Sequence, residues 1–473
     1  MDKYELFKEY TAKVAEKFKA LDRKETVRLI SHLDCDGIAA CSIMVKVLNQ
    51  LGMRYSISIV KSLSAELISE LSRESYKYIV FTDLGSGQLD LIRGKLDDRT
   101  ILILDHHIPS TKEKLDNILH VNPHLFGIDG SKEISGAGVV YLFAREIDQR
   151  HENMAHIGVI GALGDVQESN GFMAMNDEIL QTAIKKKKIQ VDRGLRLFGI
   201  QSRALYKVLQ YSTDPFIPGV SGSESGAIQF LQSLGINPKS SDGWKKYTNL
   251  TESEIHSLIA GIVMRRKGED KPEDVLGCIY TLLDEEKESP LRDAREFATL
   301  LNACGRLGKA SLGIGTCLND EKLKKHALTH MLKYKREIVT SLNWYNENKN
   351  SKDIHSEDGI IIINAKDNIL PTMIGTVASI ISKSNDIREN TFILSLARDV
   401  DGTTKVSLRV SGQRPRKDID LRSLITEIVA AVGGEAGGHQ QAAGALIDSS
   451  KEEAFTRTAT EVLRKKFLEE KVA

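Results

Sequence analysis

Residues 100–107 read Thr-Ile-Leu-Ile-Leu-Asp-His-His, an apolar run that closes on one acid and two imidazoles. Three other apolar runs end in the same way. Residues 27–33 (Val-Arg-Leu-Ile-Ser-His-Leu) lead into Asp34 and Asp36, residues 78–82 into Asp83, and residues 156–164 into Asp165. Side chains at the carboxyl ends of strands in an open parallel sheet converge on one crevice. Five carboxylates and two or three imidazoles gathered there would repel one another unless divalent cations sat among them. The pattern therefore reads first as a two-metal hydrolase of phosphate esters.

Composition frames that reading. A chain of 473 residues has room for two or three domains and a large core. Charged residues make up 27% and hydrophobic ones 41%, which places the chain among folded globular proteins. Lys plus Arg equals Asp plus Glu at 65 each, so a polyanion site must come from a local cluster rather than a global basic field. The apolar runs fall short of the roughly 18 residues a membrane span needs, and the charged N-terminus is no signal peptide. Five cysteines (35, 41, 278, 304 and 317) form no paired framework. They read as reduced, buried thiols of a cytoplasmic protein, with Cys35 as packing filler.

The fold class expected is α/β. Strands at 27–33, 55–61, 78–82 and 100–104 alternate with helices at 37–51, 64–74, 88–96, 136–149 and 154–163, which implies parallel strands with right-handed crossovers. The small-residue helix start Ser-Gly-Ala-Gly (135–138) offers free N–H groups to an anion. The domains expected are a catalytic unit over 1–190, an inserted, mainly helical module over 191–295, and a return segment over 296–318. A connector helix over 319–350 then leads to a second, smaller α/β unit over 351–473. In that unit strands fall at 359–364, 391–397 and 405–410, helices at 370–384, 419–432 and 451–468, and 431–439 is a glycine-rich loop.

Each motif has a plainer alternative. Asp34 and Asp36, two residues apart, can hold different metals, although Asp is also a favoured helix cap. Asp83 is the natural bridging carboxylate, since paired ions roughly 3.5–4 Å apart clamp the attacking and leaving oxygens of an in-line displacement. Adjacent imidazoles cannot both face one ion from extended backbone. His106 is accordingly the ligand, His107 the phosphate contact or neighbour of a second metal, and Asp105 orients an imidazole or completes a coordination sphere. Asp165 is the weakest motif alone, and His32 reads equally as ligand, phosphate contact or core histidine. Further on, Gly-Gly-Glu-Ala-Gly-Gly-His (433–439) suggests a phosphate cradle, with Arg409, Arg414 and Arg416 beside it.

With Asp34, Asp36, Asp83, Asp105-His106-His107 and Asp165 in this order, followed by that glycine-rich segment, the chain resembles the DHH phosphoesterase superfamily. It looks most like archaeal RecJ-like single-strand exonucleases of the GINS-associated type. The likeness covers most of the chain outside 190–295. It implies a parallel-sheet DHH catalytic domain with a helical insertion, joined by a long helix to a smaller α/β DHH-associated domain across a cleft. It also implies two Mn²⁺ (or Mg²⁺) ions on Asp34, Asp36, Asp83, His106 and Asp165, with His32 as a further candidate. Asp83, Asp105, His106 and His107 then form the catalytic set. His107, Arg409, Ser411, Arg414, Gly437, Gly438 and His439 lie on the strand-gripping side. In the pyrophosphatase and short-oligonucleotide branches a ligand histidine stands four residues before the first Asp. Here Ile30 occupies that position, which favours the RecJ-like branch.

The activity implied is release of mononucleotides from single-stranded DNA, 5′ to 3′, with RNA as a second substrate, in replication and repair. Alternatives are a phosphodiesterase of short oligonucleotides or cyclic dinucleotides, and a replisome scaffold that binds the GINS complex.

Overall fold

The computed structural model describes every residue except 1, 112–116, 170, 213–214, 242, 270, 385, 413–418 and 473, and the side chains of 439 and 469–472. It divides into two compact units, Met1–His330 and Met331–Ala473.

In the first unit, α1 (Lys3–Lys19) precedes the alternating run β1 (Thr26–His32), α2 (Cys35–Leu51), β2 (Arg54–Val60), α3 (Ala65–Arg73), β3 (Tyr78–Thr82), α4 (Leu89–Lys95), β4 (Thr100–Leu104) and β5 (Ile118–Val121). The strands form one sheet in the order β2-β1-β3-β4-β5, and all pairs are parallel. The chain steps one way from β1 to β2 and the other way from β2 to β3. Right-handed crossovers then put α2 and α3 on opposite faces. The core agrees: Ile68 and Leu71 of α3 and Leu89 and Ile92 of α4 pack with Ile30, Phe81 and Ile103 in one cluster. With both faces covered, β1, β3 and β4 need near-continuous apolar runs, which is why they were legible. The reversal of order between β1 and β3 is the switch point at which ligands of such sheets bind.

Helices α5 (Gly136–Ile147) and α6 (Ala155–Gly164) pack on α2, and α7 (Ala174–Lys185) follows. The pair β6 (Ile189–Leu195) and β9 (Leu276–Leu282), antiparallel, brackets the insertion. Between them lie α8 (Leu205–Gln210), α9 (Glu224–Ser233), the hairpin β7 (Lys239–Ser240) with β8 (Gly243–Trp244), and α10 (Glu252–Arg265). These elements enclose their own apolar cluster, which includes Leu209, Ile217, Leu231, Leu258 and Ile262. Helices α11 (Ala294–Arg306) and α12 (Ala310–Cys317) return to pack on α2.

Helix α13 (Glu321–Asn348) leads into the second unit, where β10 (Ile354–Glu357), β11 (Ile360–Asn364), α14 (Pro371–Ser382), β12 (Phe392–Arg398), β13 (Thr403–Val410), α15 (Leu421–Val432), β14 (Glu435–His439), β15 (Ala442–Asp448) and α16 (Glu452–Val472) follow. Its six-stranded sheet runs β10-β11-β12-β13-β15-β14, parallel only between β11 and β12. One expectation is corrected here: the glycine-rich stretch 433–439 is largely an edge strand rather than a loop. A further edge strand, β10, precedes 359. Gly437 and Gly438 of β14 pair with Gly444 and Ala443. Among the described residues no helix is long and apolar enough to cross a membrane, and the five cysteines are free.

Candidate metal centre

The carboxyl ends of β1, β3 and β4 and the C-terminus of α6 bring together every acid and imidazole singled out in the first unit. Asp34 caps α2: its Oδ1 accepts the Gly37 N–H at 3.0 Å. Its Oδ2 lies 2.9 Å from His32 Nδ1, which is itself 3.5 Å from Asp83 Oδ2. The cap and the site role therefore fall on the same carboxylate. Asp36, in the first turn of α2, is buried and accepts the N–H groups of Gly136 (2.6 Å) and Ala137 (3.0 Å). The amides at the start of α5 do face an acidic group, as the small-residue start suggested, but it is the chain's own Asp36. Glycine is required at two of these approaches. A Cβ at Gly136 would strike the Asp83 carboxylate, and one at Gly161 of α6 would strike Asp36.

His106 is oriented by its backbone neighbours. Its Nδ1–H donates to the Gly130 carbonyl at 2.6 Å, so Nε2 faces Asp83 Oδ1 (3.2 Å), Asp36 Oδ2 (3.7 Å) and Asp165 Oδ2 (3.9 Å). Asp105 is saturated by the chain. Its Oδ1 accepts from the N–H groups of His106 (2.8 Å) and His107 (3.2 Å) and from His107 Nδ1 (2.8 Å), and its Oδ2 accepts the Ser86 N–H (2.9 Å). It thereby orients His107, whose side chain is 39% exposed and whose Nδ1 lies 3.9 Å from Asp83 Oδ1. Asp165, at the end of α6, accepts from Gln167 Nε2 at 2.7 Å.

Asp83 is the exception. It is 2% exposed, its backbone is left-handed at φ 59°, and neither carboxylate oxygen has a hydrogen-bond partner. A buried, unsatisfied carboxylate is costly, and a left-handed non-glycine residue persists only where the surroundings impose it. The neighbouring groups fall into sets at ligand spacing: Asp36, His106 and Asp165; His32, Asp34 and Asp83; and Asp83 with Asp105, His106 and His107. All are hard oxygen or imidazole donors, the set that suits Mn²⁺ and Mg²⁺. The electrostatics point the same way. Burial opposes charge on His106, yet Asp83, Asp165 and Asp36 push its proton affinity well above the ordinary histidine range. Burial likewise opposes charge on His32, and Asp34 and Asp83 overcome it. Burial and the adjacent Asp83 drive Asp36 well above the carboxylate range. The pocket collects positive charge wherever it can find it, and these residues fit divalent cations.

Several supporting groups carried no signal in the sequence. Gln167 Nε2 donates to both Asp165 and the Gly130 carbonyl (2.8 Å), and its Oε1 accepts from Asn176 Nδ2 (2.7 Å). Asn122 Nδ2 donates to Ser86 Oγ and to the His107 carbonyl, each at 2.8 Å, and Ser86 Oγ meets His120 Nε2 at 2.9 Å. Asn302 of α11 accepts the Cys35 N–H at 3.1 Å, between Asp34 and Asp36. Cys35 itself is buried and its thiol pushed well up by burial, as packing filler would be.

In the second unit, Arg409 of β13 is held by Ser379 Oγ (2.9 Å) and donates to the Leu408 and Ala443 carbonyls. Ser411, expected on the strand-gripping side, is buried; its hydroxyl donates to the Arg388 carbonyl and accepts the Thr391 N–H. The backbone of His439 belongs to β14, while its side chain, Arg414 and Arg416 lie outside the described residues.

Comparison with known proteins agrees with this geometry. Residues 26–162 match the DHH family N-terminal domain, 197–275 the DHH-CID domain and 358–465 the DHHA1 domain. An uncharacterized protein of Methanocaldococcus jannaschii is 28% identical over 470 residues, covering 98% of each chain. The Mn²⁺ complex of RecJ from Thermus thermophilus superposes with a TM-score of 0.58 at 17% identity, over 97% of this chain and 55% of that one, so this chain spans about half of that RecJ. An exonuclease RecJ bound to manganese gives 0.55 at 16% identity over 97% and 94% of the two chains. CDC45 from Entamoeba histolytica gives 0.65 at 12% identity over 98% and 99%. At these identities the likeness establishes a shared fold.

Proposed function

We propose, on the premise that the chain belongs to the DHH superfamily and has a RecJ-like fold, that it hydrolyses phosphodiester bonds of single-stranded nucleic acid with two divalent cations. The observation that carries this reading is the Asp83 carboxylate, buried without a hydrogen bond between two groups of ligand-spaced side chains. Asp36, His106 and Asp165 would hold one ion and Asp34, with or without His32, the other, with Asp83 shared between them. Bound Mn²⁺ or Mg²⁺ supplies an activated water and neutralises charge at the phosphorus undergoing in-line displacement. The chain does the rest. Gly130 fixes the His106 tautomer, Asp105 holds His107 Nδ1 and so orients the ring for a scissile phosphate, and the buried walls limit bulk water.

The substrate is single-stranded DNA, degraded 5′ to 3′ to mononucleotides, with RNA also accepted, in the setting of replication and repair. Support for that choice is the RecJ-like fold together with Ile30 where other branches carry a ligand histidine. Arg409, Gly437 and Gly438 of the second unit are the residues proposed to contact phosphates of the strand. The test is digestion of 5′- and 3′-labelled DNA and RNA strands with Mn²⁺, with Mg²⁺ and with EDTA. Cation-dependent loss of mononucleotides from long strands supports the reading; hydrolysis confined to dinucleotides would replace it with the short-oligonucleotide reading.

A second reading has one observation in its favour. The likeness to CDC45 runs the full length of both chains, and the DHH-CID domain is present. A scaffold that engages GINS is compatible with an active pocket, and co-purification assayed beside hydrolysis in the same fractions separates the two.

A further inference from the structure

The insertion carries a row of rings and ammonium groups that the metal centre does not use. Tyr206, in the first turn of α8, is 7% exposed and belongs to the insertion's apolar cluster. Its ring centroid lies 4.2 Å from that of Trp244 on β8. The Leu205 N–H donates to the Lys245 carbonyl, so helix and hairpin are fastened together beside this ring pair. Outside the cluster the rings are open: Trp244 is 40% and Tyr211, at the end of α8, 58% exposed. Ammonium groups stand over them. Lys207 Nζ is 5.0 Å from the Tyr206 centroid and 5.6 Å from that of Tyr211, and Lys239 Nζ is 5.2 Å from Trp244.

Partly exposed rings bordered by mobile ammonium groups match one class of partner. Nucleobases stack on aromatic faces whatever their identity, while the connecting phosphates seek ammonium groups. A protein partner would call for a contiguous apolar patch, whereas here each ring is bordered by a lysine. Lys207 also meets Glu224 at 2.7 Å; an exposed pair of this kind holds weakly and yields to a phosphate. We propose that this face of the insertion is a second binding surface for single-stranded nucleic acid, with Trp244 and Tyr211 stacking bases and Lys207 and Lys239 contacting phosphates. Binding here does not depend on hydrolysis at the metal centre.

The chain's two tryptophans make the test direct. In full-length protein carrying Trp344→Phe, with EDTA to prevent cleavage, a short thymidylate or uridylate homopolymer is titrated while Trp244 emission is read. Saturable quenching that weakens with added salt is expected. Anisotropy of a labelled strand should show affinity falling about tenfold or more for Trp244→Ala and again for Tyr211→Ala. Trp244→Phe should stay near wild type, which separates stacking from general damage, and the Trp244 variants compared in the wild-type background serve if Trp344→Phe does not fold. A strand that binds without changing the emission, with unaltered affinity in both alanine variants, overturns the proposal and leaves the face to a protein. Absence of any binding overturns it too. Mn²⁺-dependent hydrolysis of a labelled strand at saturating concentration should persist in Trp244→Ala, and its absence in wild type would count against the metal-centre reading alone.

Discussion

Asp83 sits in a left-handed conformation that Asn also tolerates, so Asp83→Asn removes charge without forcing the backbone to move. In EDTA the variant should melt close to wild type, because it removes a buried charge and, with it, the charge that holds protons on His32 and His106. In Mn²⁺ it should lose both the cation-induced rise in melting temperature and all hydrolysis. A variant that keeps the Mn²⁺-induced rise in melting temperature would remove Asp83 from the cation site. Gln167 tests the supporting layer. Gln167→Ala frees Asp165 and the Gly130 carbonyl, and Mn²⁺ affinity by calorimetry should fall about 10–100-fold with the fold retained. His120 gives the pH dependence. Burial holds its imidazole down at about 4, against an ordinary value of 6.5. Because the folded value is the lower one, its contribution to stability is complete above 6.5 and is lost as pH falls toward 4. The loss is on the order of 3 kcal/mol. Urea melts of wild type and His120→Asn should therefore differ most near pH 7 and converge near pH 4.5. The candidate ligands were legible because acids and imidazoles are rare at the ends of apolar runs. Gln167, Asn122, Ser86, His120 and Asn302 were not, because their partners lie far along the chain and their residue types occur everywhere on protein surfaces.

Among the elements, α6 shows what sequence periodicity conveys and what it misses. Its run Ala-His-Ile-Gly-Val-Ile-Gly-Ala-Leu-Gly has no polar face, which announces burial but not the reason for its glycines. Gly161 leaves room for Asp36. Gly161→Ala should cost about 1–3 kcal/mol by overpacking and weaken Mn²⁺ binding in the same step. Gly94→Ala in α4, where nothing lies within 4 Å of the added methyl, should instead gain about 0.5–1 kcal/mol. Thermal melts of both variants with and without Mn²⁺ check the contrast. Strands β1, β3 and β4 could be read because burial on both faces demands unbroken apolar runs. β5 is only four residues long and includes His120. β14 is built from Glu-Ala-Gly-Gly-His, a composition with little strand preference that only its register with β15 makes extended. A glycine-rich stretch reads the same as loop or as edge strand until its partner is known.

For the whole molecule, the α/β class, the parallel sheet and the second α/β unit followed from the order of apolar runs. The β6–β9 pair at the base of the insertion did not, because its strands lie more than 80 residues apart in the chain, from Leu195 to Leu276. All candidate ligands come from the first unit, which fixes where cation binding must act. At a hundred times its dissociation constant, Mn²⁺ should stabilise that unit by about 2.7 kcal/mol. Hydrogen exchange should show the gain in residues 26–165 and leave the amides of 354–448 unchanged. A uniform gain across both would relocate the binding. One contact carries a consequence for synthesis. Asn302 grips the amide between Asp34 and Asp36, so the earliest-made ligands wait for a residue translated more than 260 positions later. On a ribosome paused before α11 the sheet could pair, but the amide between Asp34 and Asp36 would still lack its side-chain acceptor. The candidate centre is thus completed only after nearly two-thirds of the chain has been made.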